Sequence, residues 1–385
     1  MENPSINLLK DLIGFNTSTG HSNLDLIAYV EKLLGSHDID HQRIYSADKW
    51  KANLIATIGP SQNAGYIMSG HTDVVPADPK NWSSDPFKAE IRDEKIFGRG
   101  TADMKGFIAV ILSKLPEMRA ANLKVPLHIA LSYDEEIGCI GVRDIIHHLN
   151  QAPARQLGSF VGEPSNMDVV IGHKGKRSYA VEITGRTGHS SLTANGVNAI
   201  EFAARLIAHI RDIADSLKTS GPFDPLFDVA HSTAQTGVIS GGQQVNIIPD
   251  SCRFEFEFRF IGADKGDDLV DRVKDYAENK LIPEMRVIAQ EARIEFTPDI
   301  AYEDLDMNEN DPFISLTKSI AQKNSVSKVS YGAEAGLFAR LGNIPSVICG
   351  PGDISQAHQP DEYVSLEQLQ QCGLFIDRLI RHCEE

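Results

Sequence analysis

Two adjacent carboxylates, Glu135 and Glu136, stand where the apolar run 127–131 gives out. Packing does not call for such a pair. Neighbouring residues of a strand point to opposite faces, so a pair at a strand's carboxyl end sends one group inward and the other into the crevice beyond. In open α/β sheets that crevice is where ligands bind. Groups of matching chemistry recur at equivalent places. His71 follows the apolar run 65–68, with Asp73 two residues on, a spacing that suits a metal-ligating imidazole whose other nitrogen is oriented by a carboxylate. Asp103 closes the glycine-rich turn Gly98-Arg99-Gly100 at the entrance of a helix beginning near Lys105. Glu163 ends the run 159–161 and Pro164 stops it, while His358 lies in the loop beyond the run 346–349.

Taken singly, each residue has a plainer reading: a solvated surface histidine, a helix-capping aspartate, a polar loop residue. Together they set histidines or carboxylates at the carboxyl ends of four separate strands, with Asp103 joining from the turn. Histidines and carboxylates without cysteine form the ligand set that Zn²⁺ or Co²⁺ accepts in catalytic sites. There are more carboxylates than one tetrahedral ion uses, so two divalent ions, about 3.5–4 Å apart and bridged by one carboxylate and a water, are the economical expectation. The glycine-rich turn is not a phosphate-binding loop, because no Gly-Lys-Ser/Thr follows at the required offset.

The elements that must position these groups read as follows. Helical spacing over 5–15, 25–34, 105–119 and 141–149 alternates with short apolar strands at 53–58, 65–68, 127–131, 159–161 and 346–349, which predicts a mostly parallel sheet with helices on both faces. The middle differs: strand 176–184, helix 197–213, strands 234–240 and 254–260, helix 267–281 and strand 292–296. That β-α-β-β-α-β order is the ferredoxin-like pattern. The expected organisation is an α/β catalytic, metal-binding domain of residues 1–175 and 303–385, interrupted by an inserted α+β domain of residues 176–302. Phe254, Phe256, Phe258 and Phe260 alternate on one face of the inserted sheet, leaving its other face or edge for a second copy, so a homodimer is expected through this domain.

With 385 residues the chain exceeds what one core usually supports, and 42% hydrophobic with 23% charged residues is an ordinary soluble composition. A formal net charge of -16 argues against a nucleic-acid partner. Five widely spaced cysteines without a C-x-x-C pair read as reduced thiols, and no stretch has the apolar length a bilayer demands, so a cytoplasmic protein with no membrane partner is expected.

His71-Thr72-Asp73-Val74-Val75-Pro76, the segment Gly98 to Gly106, Asp134-Glu135-Glu136, Gly162-Glu163-Pro164 and Gly188-His189-Ser190-Ser191 resemble the dinuclear metallohydrolases that include aminoacylase, glutamate carboxypeptidase, succinyl-diaminopimelate desuccinylase and acetylornithine deacetylase. The resemblance covers essentially the whole chain. It implies that His71 and Glu163 hold one ion, Glu136 and His358 the other, and that Asp103 bridges them. It further implies that Glu135 is the general base, that Asp73 orients His71, and that His189, in the inserted domain, reaches a substrate carbonyl. Asn246 and Arg259 match positions that contact a substrate carboxylate, and Glu334 is expected to meet a substrate amine or to support the site from behind. Glutamate at position 163 leans towards deacylases, and the segment Gln356-Ala357-His358-Gln359-Pro360-Asp361-Glu362 is closest to acetylornithine deacetylases. The implied substrate is thus a small N-acyl amino acid, N2-acetyl-L-ornithine, cleaved to L-ornithine and acetate. Succinyl-diaminopimelate desuccinylase or another deacylase or carboxypeptidase of the family is the nearest alternative. A non-catalytic scaffold is the rival of another class, and it would be expected to have lost a ligand or the base.

Overall fold

The computed structural model describes residues 4–151 and 154–385, which form two compact units. The larger unit comprises 4–172 with 305–328 and 333–385 (less 152–153), the smaller 173–304 with 329–332. Residues 329–332, expected in the larger domain, pack instead with the smaller unit. Ser330 Oγ donates to Asp228, and Gly332 lies so close to the Tyr302 ring that a Cβ there would sit 2.1 Å from it.

The larger unit is built on one sheet whose strands run, in spatial order, Asp40–Tyr45, Ala52–Ile58, Leu127–Ser132, Tyr66–His71, Gly158–Pro164, Ser346–Gly350, Val169–His173 and Leu305–Asp306. Leu127–Ser132, Tyr66–His71, Gly158–Pro164 and Ser346–Gly350 pair in parallel, while Asp40–Tyr45 and Ala52–Ile58 on one side and Val169–His173 on the other pair antiparallel. Every residue of those four central strands is buried, as a parallel sheet covered on both faces requires. The predicted helix 105–119 is two helices, Lys105–Ser113 and Leu115–Ala120, because Pro116 cannot donate within a continuous helix. The edge strand Asp40–Tyr45 escaped the sequence reading because it is polar and mostly exposed, with no buried face to impose alternation.

Lys105 is fully buried, and its Nζ donates to the carbonyls of Leu12 (3.1 Å) and Phe15 (2.9 Å), fixing the start of its helix against the end of Pro4–Ile13. Gly162 is the close-packing point beneath the site: a Cβ there would lie 2.0 Å from the Phe107 ring.

The smaller unit has the expected β-α-β-β-α-β order, and its antiparallel sheet runs Thr233–Gly241, Ser251–Phe260, Gly175–Thr184, Arg293–Tyr302. Phe254, Phe256, Phe258 and Phe260 are all buried in its core with residues of the helix Ala199–Ser220. All five cysteines are free and buried. Among the described residues no helix is long and apolar enough to cross a membrane.

Candidate metal centre

The carboxyl ends of the four parallel strands deliver the chemistry. His71 is the last residue of Tyr66–His71, Glu163 the penultimate residue of Gly158–Pro164, and His358 follows Ser346–Gly350 after a short loop. Glu135 and Glu136 do not alternate on a strand as the sequence suggested, because Leu127–Ser132 ends three residues earlier and Asp134 turns the chain with φ of 55°. What holds the pair is Asp73, whose two carboxylate oxygens accept from the backbone N–H of Glu135 (3.2 Å) and of Glu136 (3.1 Å).

Asp103 lies at the centre. Its Oδ1 is 2.9 Å from His71 Nε2 and its Oδ2 is 3.2 Å from His358 Nε2, so its two oxygens serve two different histidines. His71 Nε2 is also 3.4 Å from Glu163, and His358 Nε2 is 3.0 Å from Glu136. Asp103 does not cap the following helix: Met104 occupies that position, without a side-chain hydrogen bond. The imidazole of His71 is oriented by Asp73, although through its backbone carbonyl at 2.9 Å, the carboxylate being 3.7 Å away.

Three observations test whether these residues fit divalent cations. A carbonyl oxygen only accepts, so His71 Nδ1 carries a proton and, in the neutral ring, the lone pair of Nε2 faces the carboxylates of Asp103 and Glu163. Two acceptors facing each other need a cation or a proton between them. Next, Glu136 Oε1 is buried without a hydrogen-bond partner, which costs free energy unless something positive meets it. Lastly, ligand atoms of His71, Glu135 and Glu163, and of His71, Asp103 and Glu136, all lie within 4.8 Å of one another in each group. The residues fit.

Electrostatics say the same. In the ion-free protein burial, with Asp103 close by, pushes both Glu136 and Glu163 up to about 7. Burial and then Glu163 raise Glu135 well above the usual carboxylate range. Hydrogen bonds to Asp103 and Glu136 raise His358 to about 10, and Asp103 is held low against its own burial by His358 and His71. The crowded carboxylates thus retain protons that a cation would displace. For Glu136 and Glu163 the folded protein binds more protons than the unfolded chain between about 4.5 and 7, so stability falls as pH rises through that window. His358 contributes stability below its unfolded value of 6.5 that is lost as pH rises towards about 10. Both signs agree. Metal-stripped protein is expected to melt at a lower temperature at pH 8.5 than at pH 6, with the gap to metal-loaded protein widening, as scanning calorimetry would read. A stripped protein equally stable at both values would contradict this account.

Glu334, expected either to meet a substrate amine or to support the site from behind, is fully buried, its carboxylate accepting from Ser132 and from Ser69 (3.4 Å), and burial pushes it up to about 7. These contacts tie it to the strands Tyr66–His71 and Leu127–Ser132, which suits the supporting reading. In the smaller unit, Ser190 N donates to the Asn246 carbonyl, which draws His189 and Asn246 together at the paired segments Gly188–His189 and Ile247–Ile248. His189 Nδ1 accepts from the backbone N–H of Ser191 (3.2 Å), so the neutral ring presents Nε2–H as a donor on an exposed surface. Arg259 is engaged by Glu257 (3.1 Å) and the Tyr302 hydroxyl.

Sequence reasoning met Glu362 only as the end of the segment 356–362 and gave it no role. It is fully buried, and four N–H groups around the Asp103 turn converge on its carboxylate. A glutamate between Asp361 and Tyr363 carries no local signal of this.

The model of peptidase family M20/M25/M40 matches residues 67–382. The chain belongs to this family. A curated relative, the acetylornithine deacetylase of Vibrio parahaemolyticus, is 32% identical over 332 residues, covering 85% of this chain and 83% of that protein. Among solved structures, the M20 family metallo-carboxypeptidase of Sulfolobus solfataricus superposes with a TM-score of 0.77 at 18% identity over all of both chains. The YXEP protein of Bacillus subtilis, described as a dinuclear metal binding peptidase, gives 0.63 at 16% identity over 98% of this chain and 96% of its own. At those identities the likeness is one of fold.

Proposed function

We propose that this M20 member is a metal-dependent deacetylase that removes the acetyl group from N2-acetyl-L-ornithine, giving L-ornithine and acetate. The observation that carries the hydrolytic reading is the split placement of the Asp103 carboxylate, one oxygen towards His71 and the other towards His358, with the Glu135 carboxylate beside His71 and Glu163. The name shared by relatives 32–34% identical supports the choice of substrate.

In this reading His71 and Glu163 hold one divalent ion, Glu136 and His358 the second, and Asp103 both, with Zn²⁺ the leading candidate and Co²⁺ the alternative. When bound, such ions lower the pKa of water towards neutrality and polarise a carbonyl. Glu135 takes the proton from the attacking water and returns it to the leaving nitrogen, acting as base and then acid. Its partners suit that work: it is held by its own backbone on Asp73, and Cys139 Sγ (3.3 Å) is the hydrogen-bond donor to its carboxylate, so one oxygen remains free to take a proton. Asp73 keeps Glu135 and Glu136 side by side while orienting His71.

His189 offers Nε2–H to an acyl oxygen as negative charge develops there. His189→Ala is expected to lower kcat about 10²-fold or more with little change in metal content, and an unchanged kcat would remove it from the reaction. Asn246 and Arg259 are proposed to read the substrate's carboxylate.

The strand Thr233–Gly241 is the outer strand of its sheet and exposes Val238 (51%) and Ile239 (54%). An apolar edge of this kind supports a homodimer through the smaller unit. Val238→Lys should shift sedimentation from dimer to monomer, and a wild-type chain sedimenting as a monomer would end that proposal. Free, buried cysteines suit a reducing compartment, so we place the enzyme in the cytoplasm.

The deciding experiment compares hydrolysis of N2-acetyl-L-ornithine, N-succinyl-diaminopimelate and other N-acyl amino acids by the metal-loaded protein. Preferred turnover of acetylornithine is expected. Negligible turnover of it beside rapid turnover of another substrate would reassign the substrate, and no turnover of any would favour a scaffold.

A further inference from the structure

Glu362 has no solvent exposure, yet its carboxylate meets four donors: Arg99 Nη1 at 2.7 Å and Gly100 N at 2.9 Å on Oε2, and Ala102 N at 2.8 Å and Asp103 N at 3.0 Å on Oε1. Its own carbonyl accepts from Gly98 N at 3.0 Å. The turn 98–103 is irregular, so these N–H groups have no ladder or helix to satisfy them, and a buried donor left unpaired costs free energy. Gly100 adopts φ of 88° and leaves no room for a side chain, since a Cβ would lie 2.7 Å from Val74. The turn is therefore shaped around the carboxylate.

A buried carboxylate is an expensive way to fill space, and an apolar side chain would pack at lower cost. What only a carboxylate does is gather several N–H groups at fixed geometry. Glu362 lies four residues after His358, and the segment between is held at a second point, where Asp361 accepts from Ser83 N and Oγ, both at 2.9 Å. One side chain thus fastens the turn that carries Asp103 to the loop that carries His358, the two groups whose separation is 3.2 Å.

We infer that Glu362 is a positioning residue that sets the bridging geometry of Asp103 against His358 and so governs retention of the second metal ion. The inference rests on the metal reading above. The Arg99 guanidinium, itself buried, offsets the charge, so the clamp does not depend on solvent. In Glu362→Gln one oxygen becomes an NH₂ group, which faces two of the four donors and repels them. Glu362→Asp keeps the charge but shortens the reach by one methylene.

The test titrates Zn²⁺ into metal-stripped wild type, Glu362→Gln and Glu362→Asp by calorimetry against a competing chelator, with elemental analysis for stoichiometry and circular dichroism for folding. Wild type should take up two equivalents. In Glu362→Gln the weaker equivalent should bind about 10- to 100-fold less tightly, the usual loss on removing an outer-shell partner, and Glu362→Asp should recover part of it. A folded Glu362→Gln that binds both equivalents as wild type does, even with a lower melting temperature, overturns the inference and leaves the metal reading intact. If Glu362→Gln does not fold, Glu362→Asp is judged by the same criterion. A wild type that binds no Zn²⁺ overturns the metal reading and this inference with it.

Discussion

Glu135→Gln should lower kcat by about 10²–10⁴-fold while the protein keeps its full metal content. The substitution preserves shape and backbone contacts with Asp73 but removes the only group assigned to carry a proton between water and the leaving nitrogen. Its neighbour should behave otherwise. Glu136 has one oxygen 3.0 Å from His358 and the other buried and unpartnered, so Glu136→Gln is expected to lose metal first and activity as a consequence. Elemental analysis alongside kcat separates the two. If Glu135→Gln retains activity the assigned base is wrong, and if it loses metal then Glu135 is a ligand, as its distance to His71 and Glu163 permits.

Asp103→Ala should have the widest effect on metal binding, because both histidines face this one carboxylate. In the proposed arrangement, losing Glu163 or Glu136 would remove a ligand from one position, whereas losing Asp103 would remove one from each. Zn²⁺ affinity is expected to fall by more than the ~100-fold typical of an outer hydrogen-bond partner, with stoichiometry below one equivalent at micromolar Zn²⁺. Retention of two tightly bound equivalents would show that Asp103 does not bridge.

Much of this arrangement was legible because it obeys a positional rule. His71, Glu163 and His358 follow apolar runs that become the central parallel strands, and the carboxyl ends of such strands share one rim. The clean two-residue alternation of the phenylalanines marked 254–260 as a half-buried strand just as directly, and the strand found is Ser251–Phe260. What stayed hidden depends on contacts across long stretches of chain. For Glu334 the choice between a substrate amine and support from behind stays open in the sequence, because its neighbours Ser69 and Ser132 lie far along the chain. Glu362 reads as one more charge beside Asp361. The pairing of Glu135 and Glu136 with Asp73 could not be read at all, since the donors are backbone groups and every residue has those.

The strand Ser346–Gly350 lies inside the main sheet, between Gly158–Pro164 and Val169–His173, yet the whole smaller unit is encoded before it. Emerging from the ribosome, the chain must therefore leave the flank of Gly158–Pro164 without its parallel neighbour until well over a hundred further residues have been made, an interval of roughly 10–40 s at ordinary synthesis rates of roughly 5–20 residues per second. For that interval the nascent molecule carries an open β-edge, the feature that recruits chaperones or misassembles. The smaller unit buries its own phenylalanine core, so that core does not depend on the missing strand. His358 and Glu362 follow the missing strand in the chain, so the full set of residues proposed to hold the ions exists only once the strand that closes the sheet has been made.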